Sequence, residues 1–145
     1  KYSKWPPWYE KLILMFQKEV GDRIVASKNQ KNYGRLSILS NWRLKITKNF
    51  IVSKNCFLPK PKVDSMVLTF EPKKKFIKLI NPKNLEKVTQ VMFSSRRKII
   101  KNSIKRLFKN ESFFEKELSI NLQSRSENLD REIFYKLASK YEKLL

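Results

Sequence analysis

The stretch Cys56-Phe57-Leu58-Pro59-Lys60-Pro61-Lys62-Val63-Asp64-Ser65-Met66-Val67-Leu68-Thr69-Phe70 allows the backbone few choices. Pro59 and Pro61 each fix their own φ and keep the residue before them out of the helical region, so the first half is an extended loop. From Val63 onward, Val63, Ser65, Val67 and Thr69 alternate with Asp64, Met66, Leu68 and Phe70, and the β-branched and aromatic content suits a strand. A stiff loop carrying Lys60 and Lys62 therefore runs straight into a sheet. Loops of this kind present side chains to ligands, and Phe57 is the side chain presented. The alternative is an ordinary connector with Phe57 tucked into the core.

The flanking sequence supplies the rest of an α/β layer. Trp5-Pro6-Pro7-Trp8-Tyr9 reads as a connector entered from something earlier. Leu12-Ile13-Leu14-Met15-Phe16 is an apolar run of strand length, of the kind found where both faces of a strand are buried. Gln17 to Ala26 reads as a short amphipathic helix with Val20 and Ile24 on one face, and Ser27 to Asn32 as a polar turn. Tyr33-Gly34-Arg35 leads into a second helix with Leu36, Leu39, Ile38 and Trp42 as its buried stripe. Leu44 and Ile46, then Phe50 and Val52, look like strand. At Glu71-Pro72-Lys73-Lys74-Lys75 the character changes, because Pro72 stops the strand and the lysines are solvated. The expectation is an α/β part over 1–72 and a small all-α part over 73–145. Asn81-Pro82 opens the helical part, and a last helix from about Asp130 to Leu144 turns Ile133, Leu137, Tyr141 and Leu144 inward.

Charge narrows the class of partner. The 145 residues hold 33 Lys and Arg against 13 Asp and Glu, a net charge of +20. Such a field attracts polyanions through their phosphates. With 41% hydrophobic and 12% aromatic residues the chain has the means to build a core, which a disordered basic tail lacks. No apolar run approaches the length of a membrane span, and no hydrophobic signal core opens the chain. The reading is a cytoplasmic, nucleic-acid-facing protein without a membrane association.

The cations concentrate between Phe93 and Lys109, where seven Lys and Arg residues occur with no acidic one. Read as one continuous helix, the segment places Arg97, Lys98, Lys101, Lys105 and Lys109 on one arc and Met92, Ile99, Ser103 and Leu107 on the core side. That row can lie along a phosphate backbone. Arg96 projects towards the apolar arc, so it is either paired internally or reaches past the helix edge. Trp5, Trp8, Tyr9, Trp42 and Phe57 could stack on bases; most of them suit a core or interface better, and Phe57 stands out.

Catalytic patterns are missing. The chain has no histidine, which removes Ser/His/Asp and Cys/His schemes and, with the single Cys56, a zinc site. Gly21 and Gly34 are isolated, so no glycine-rich loop cradles a phosphate.

Four patches, in order, nonetheless resemble the KsgA/Dim-type rRNA adenine dimethyltransferase family. They are Phe16-Gln17-Lys18-Glu19-Val20 with Arg23-Ile24; Tyr33-Gly34-Arg35-Leu36-Ser37; Phe57 with Pro59, Pro61-Lys62-Val63-Asp64-Ser65; and Phe93 with Arg96-Arg97-Lys98, Ile100 and Asn102-Ser103. Arg125, Glu127, Asn128 and Leu129 echo the family's C-terminal pattern. The resemblance implies the C-terminal part of a Rossmann-like methyltransferase domain followed by a small helical rRNA-binding domain. It implies transfer of methyl groups from S-adenosylmethionine to two adjacent adenosines of small-subunit rRNA, within a 30S precursor, by an enzyme that is a monomer at full length. Phe57 then packs against the extruded adenine, and Arg35, Lys60, Lys62, Arg96, Arg97, Lys98, Lys101 and Lys105 contact RNA. The family's cofactor loop and its Asn-Leu-Pro-Tyr motif lie upstream of the matching residues and do not occur here. These 145 residues therefore hold no catalytic, cofactor or metal residues and would be inactive alone. The competing reading is a non-catalytic rRNA-binding or ribosome-assembly module. The Arg96-Arg97-Lys98 pattern favours the small-subunit branch over the related large-subunit enzymes.

Overall fold

The computed structural model describes residues 5–108, 118 and 120–144. Three strands, β1 (Leu12–Gln17), β2 (Leu44–Val52) and β3 (Ser65–Pro72), form an antiparallel sheet with β3 in the middle. The alternation of β3 is realised as expected: Met66, Leu68 and Phe70 are buried on one face. Their cross-strand partners Leu12, Phe16 and Ile46 share that face. Helix α1 (Lys18–Val25) covers it with Ile24 and Val20. In β2 the register slips between Lys48 and Phe50, and the intervening Asn49 ties back to the Thr69 hydroxyl at 2.8 Å.

Gly21 is what lets α1 sit so close. A Cβ added there would lie 2.6 Å from Met66 Sδ and 3.0 Å from Met66 Cβ. Gly21→Ala is expected to lower stability by about 1–2 kcal/mol, the cost of overpacking less alanine's gain in helix propensity. A fall in the denaturation midpoint at constant m checks this; an unmoved midpoint would mean that α1 lifts off β3 freely.

Among the described residues nothing packs over the opposite face of the sheet. Ile13, Met15 and Phe50 are 63%, 53% and 58% exposed there, beside half-buried Val67. Among the described residues, β1 pairs only with β3 and its outer edge is open. The apolar run at 12–16 is therefore an edge strand in this chain, where burial on both faces was expected. Antiparallel sheets tolerate one wet face, but such a face is normally polar.

The second core is helical. Helix α2 (Arg35–Ser40) contributes Ile38; α3 (Lys83–Phe93) contributes Leu85, Val88 and Met92; α4 (Lys101–Leu107) contributes Ile104 and Leu107. Helix α5 (Arg131–Glu142) contributes Phe134, Leu137 and Ala138. Two phases differ from expectation. In α2 Leu36 is 40% exposed while Ser37 and Ile38 are buried; Leu144 lies exposed beyond the end of α5, in which Phe134 and Tyr135 take inward positions beside Leu137. The Asn81-Pro82 start is found where expected. Asn81 Oδ1 accepts the Lys83 N–H at 3.1 Å, and the Glu142 carboxylate accepts the N–H groups of Ile80 and Asn81.

Candidate nucleic-acid interface

Phe57 sits on a loop pinned at both ends by one residue. The Asp64 carboxylate accepts the Lys54 N–H at 2.9 Å, and its carbonyl accepts the Lys18 N–H at 2.9 Å, which joins the loop to the start of α1. A 3-10 turn over Lys54–Cys56 follows Ser53, whose hydroxyl accepts the Asn55 N–H at 3.2 Å. Phe57 leaves the turn in an extended conformation and is half-buried, and it belongs to neither hydrophobic cluster among the described residues. It is neither a core residue nor wholly solvated. Leu58 beyond it is fully exposed, and Lys60 and Lys62 are exposed too. A cavity of about 380 Å³ at the loop base is lined by Lys18, Glu19, Asp22, Lys54, Lys62, Val63 and Asp64. The hydrogen bond to Asp22 holds the Lys18 ammonium above its ordinary pKa.

The other cationic group lies on the helical side, and its geometry corrects one expectation. No continuous helix runs from 93 to 109: α3 ends at Phe93, a turn spans 94–99, and α4 begins at Lys101. Each break has a physical cause. The Ser94 hydroxyl donates to the Val91 carbonyl at 2.8 Å, Lys98 N–H turns back to the Ser95 carbonyl, and Ile100 N–H bonds the Ser124 carbonyl. Ile100, not Ile99, enters the core, while Met92, Ser103 and Leu107 are buried as expected. Arg97 and Lys98 are exposed on the turn, and Lys101 and Lys105 follow one helical turn apart on α4. Lys109 lies outside the described residues.

Arg96 takes the internal option. Its Nε donates to Glu127 Oε2 at 2.8 Å and its Nη2 to the Lys31 carbonyl at 2.6 Å. That pair belongs to a staple between two loops. Asn29, in the left-handed region with φ 68°, donates its N–H to the Glu127 carbonyl and accepts the Asn128 amide at 2.9 Å. The Lys28 ammonium meets Asp130 at 2.7 Å, and the Tyr33 hydroxyl donates to the Leu129 carbonyl at 2.8 Å. Burial pushes the Tyr33 phenol well above its usual pKa. Arg35, exposed at the start of α2, follows directly on the stapled loop. Sequence reasoning finds residues 125–129 as a pattern but misses the staple, because its partners lie from 31 to 102 positions apart.

The remaining aromatics are mostly engaged within the fold. The Arg43 guanidinium stacks 4.1 Å from the Trp42 ring centroid and 5.6 Å from those of Trp5 and Phe76. Trp8 is 93% exposed and meets Tyr9 edge-on. Among the described residues no cluster of His, Cys, Asp and Glu could hold a metal ion, and no helix is long and apolar enough to cross a membrane.

Residues 6–143 match the family model described as ribosomal RNA adenine dimethylase. The protein named ribosomal RNA small subunit methyltransferase A of Pelagibacter ubique is 46% identical over 137 residues, covering 94% of this chain and 52% of its own length. The protein of the same name from Xanthobacter autotrophicus is 39% identical, covering 97% of this chain and 48% of its own length. The chain thus spans about half the length of these curated relatives. A dimethyladenosine transferase from Plasmodium falciparum superposes with a TM-score of 0.76 at 27% identity, covering 95% of this chain and 59% of that one. The 23S rRNA methyltransferase ErmE superposes with a TM-score of 0.61 at 16% identity, a likeness of fold.

Proposed function

Since the chain belongs to the ribosomal RNA adenine dimethylase family, we propose that it is the C-terminal half of a small-subunit rRNA adenine dimethyltransferase. The observation that carries this is the family match from residue 6 to residue 143, set beside relatives twice as long. The sheet supports it. An open β1 edge with exposed Ile13 and Met15, next to exposed Phe50, is the surface that a further part of a larger α/β domain would cover. On this reading residues 1–72 complete the methyltransferase domain and 73–145 form the rRNA-binding domain, although Ala26, Ile38 and Trp42 already contribute to the helical core.

S-adenosylmethionine would supply the methyl group for the N6 amines of two adjacent adenosines. On this reading its site lies in the upstream portion of the enzyme. What this chain contributes is the adenine contact at Phe57 and two sets of cations for the rRNA. Lys60 and Lys62 stand on the Phe57 loop, and Arg97, Lys98, Lys101 and Lys105 on the helical side. The full enzyme would be a cytoplasmic monomer acting on 30S precursors. A methyl-transfer assay on small-subunit rRNA, using this chain together with its upstream portion, tests the reading; methyl-donor binding with no transfer to adenosine would overturn it. The second reading, a non-catalytic rRNA-binding module, rests on the net charge of +20. It requires that the longer protein bind no methyl donor.

Docking has its own test. Replacing Arg97, Lys101 and Lys105 together by Gln is expected to weaken binding to a small-subunit rRNA hairpin. The slope of log K against log salt should fall by about 0.7–0.9 for each phosphate that is no longer neutralised. An unchanged slope would move the docking face elsewhere.

A further inference from the structure

A cavity of about 910 Å³ opens between the segment following β3 and the start of α5. Its walls carry Lys28, Lys73, Lys75, Arg131 and Lys136 against Asp130 and Glu132, and Lys28 already takes Asp130. Three of the neutral polar groups are spent on the fold. The Tyr33 and Tyr135 hydroxyls donate to the carbonyls of Leu129 and Ile38, and the Trp42 indole to that of Ile77.

Two of the cations are held without a counter-ion. The Lys73 ammonium donates to the Asn41 carbonyl at 2.6 Å, and Arg131 Nη2 donates to the carbonyls of Val25 and Ala26. Neither is in an ion pair among the described residues. Among the described residues only Nη2 of the Arg131 nitrogens finds an acceptor, and the buried Nε finds none. Burial first, and then the Arg131 guanidinium, push the Lys73 ammonium below its ordinary pKa, with Glu132 acting the other way. Two cations that share a concave site with surplus donors are stabilised by a multidentate anion.

We propose that this cavity binds a phosphate group, with Lys73 and Arg131 as its contacts and Lys75 and Lys136 at its rim. The phosphate is either a free ion or ester, or one link of an RNA backbone. The site is built from other elements than the Phe57 loop, so its occupancy can be read separately from adenine binding.

The test titrates inorganic phosphate into an isotopically labelled protein that carries this chain together with its upstream portion, at constant ionic strength with chloride as the balancing anion, and follows the Trp42 indole N–H and the Asn41 side-chain amide by NMR. Saturable shifts are expected, with half-saturation raised about tenfold in Lys73→Gln, the loss of one charge-assisted hydrogen bond. Lys136→Glu, a change at an exposed position, is expected to weaken binding as well, and it serves if Lys73→Gln does not fold. A short single-stranded RNA then separates the sources. Shifts of the same two signals, lost in the variants, assign an RNA phosphate, while unmoved signals assign a free phosphate or small ester. Linear, unsaturable shifts that are equal in wild type and Lys136→Glu would overturn the site.

Discussion

Phe57→Ala, in a protein that carries this chain together with its upstream portion, is expected to lower kcat/KM for adenosine methylation by about 5- to 150-fold. That range is the 1–3 kcal/mol a stacked base is worth. Affinity for the rRNA should stay within about twofold, because most of it comes from phosphate contacts that Phe57 does not make. The expectation depends on how the loop is held. Asp64 ties the Lys54 and Lys18 N–H groups, so the backbone at Phe57 remains placed when the ring is removed. Phe57 is in neither hydrophobic cluster, so the melting temperature should barely change. Phe57→Tyr keeps an aromatic face and should retain most of the activity. Steady-state kinetics with a parallel RNA-binding isotherm distinguish the outcomes. Unchanged turnover would remove Phe57 from the adenine pocket. An affinity loss equal to the activity loss would make it a general RNA contact instead.

What can be read in the sequence depends on how local its causes are. The Phe57 loop and β3 are legible because Pro59, Pro61 and the alternation through Phe70 act within a few residues, and β3 is the central strand whose alternate residues are buried. The start of α3 is legible for the same reason. The strand at Leu12–Gln17 is recognisable but its surroundings are not: Ile13 and Met15 are written for burial, and within this chain nothing described covers them. Residues 93–107 mislead because the apolar spacing from Met92 to Ser103 fits one helix. The interruption comes from long-range partners, the Ser124 carbonyl for Ile100 and Glu127 for Arg96. Once the helix is broken, the core position passes from Ile99 to Ile100, a one-residue change of phase that no local pattern announces. The cavity around Lys73 and Arg131 is illegible for a related reason, since α5 and the segment after β3 are about sixty residues apart and only the fold makes them face each other.

Arg96→Ala should separate positioning from phosphate contact. In the structure Arg96 bridges Glu127 and the Lys31 carbonyl, and its side chain and that of Glu127 are 39% and 28% exposed. Losing two charge-assisted hydrogen bonds and leaving Glu127 unpaired is expected to cost about 2–3 kcal/mol. The partial exposure keeps this below the cost of breaking a fully buried pair. Arg96→Lys should not rescue, because an ammonium cannot reach a carboxylate and a carbonyl from the fixed fork of a guanidinium. Arg96→Ala with Glu127→Ala should show a coupling of about 1 kcal/mol or more in a double-mutant cycle followed by chemical denaturation. The RNA measurements supply the contrast. Removing the staple should weaken RNA binding through misplacement of Arg97 and Lys98, yet leave the salt slope where it was, since no phosphate contact is deleted. Arg97→Ala should do the reverse, lowering the slope by about 0.7–0.9 with little loss of stability. If Arg96→Ala leaves the denaturation midpoint unmoved and lowers the slope, Arg96 is released from Glu127 when RNA binds, and the staple is a resting arrangement that the nucleic acid replaces.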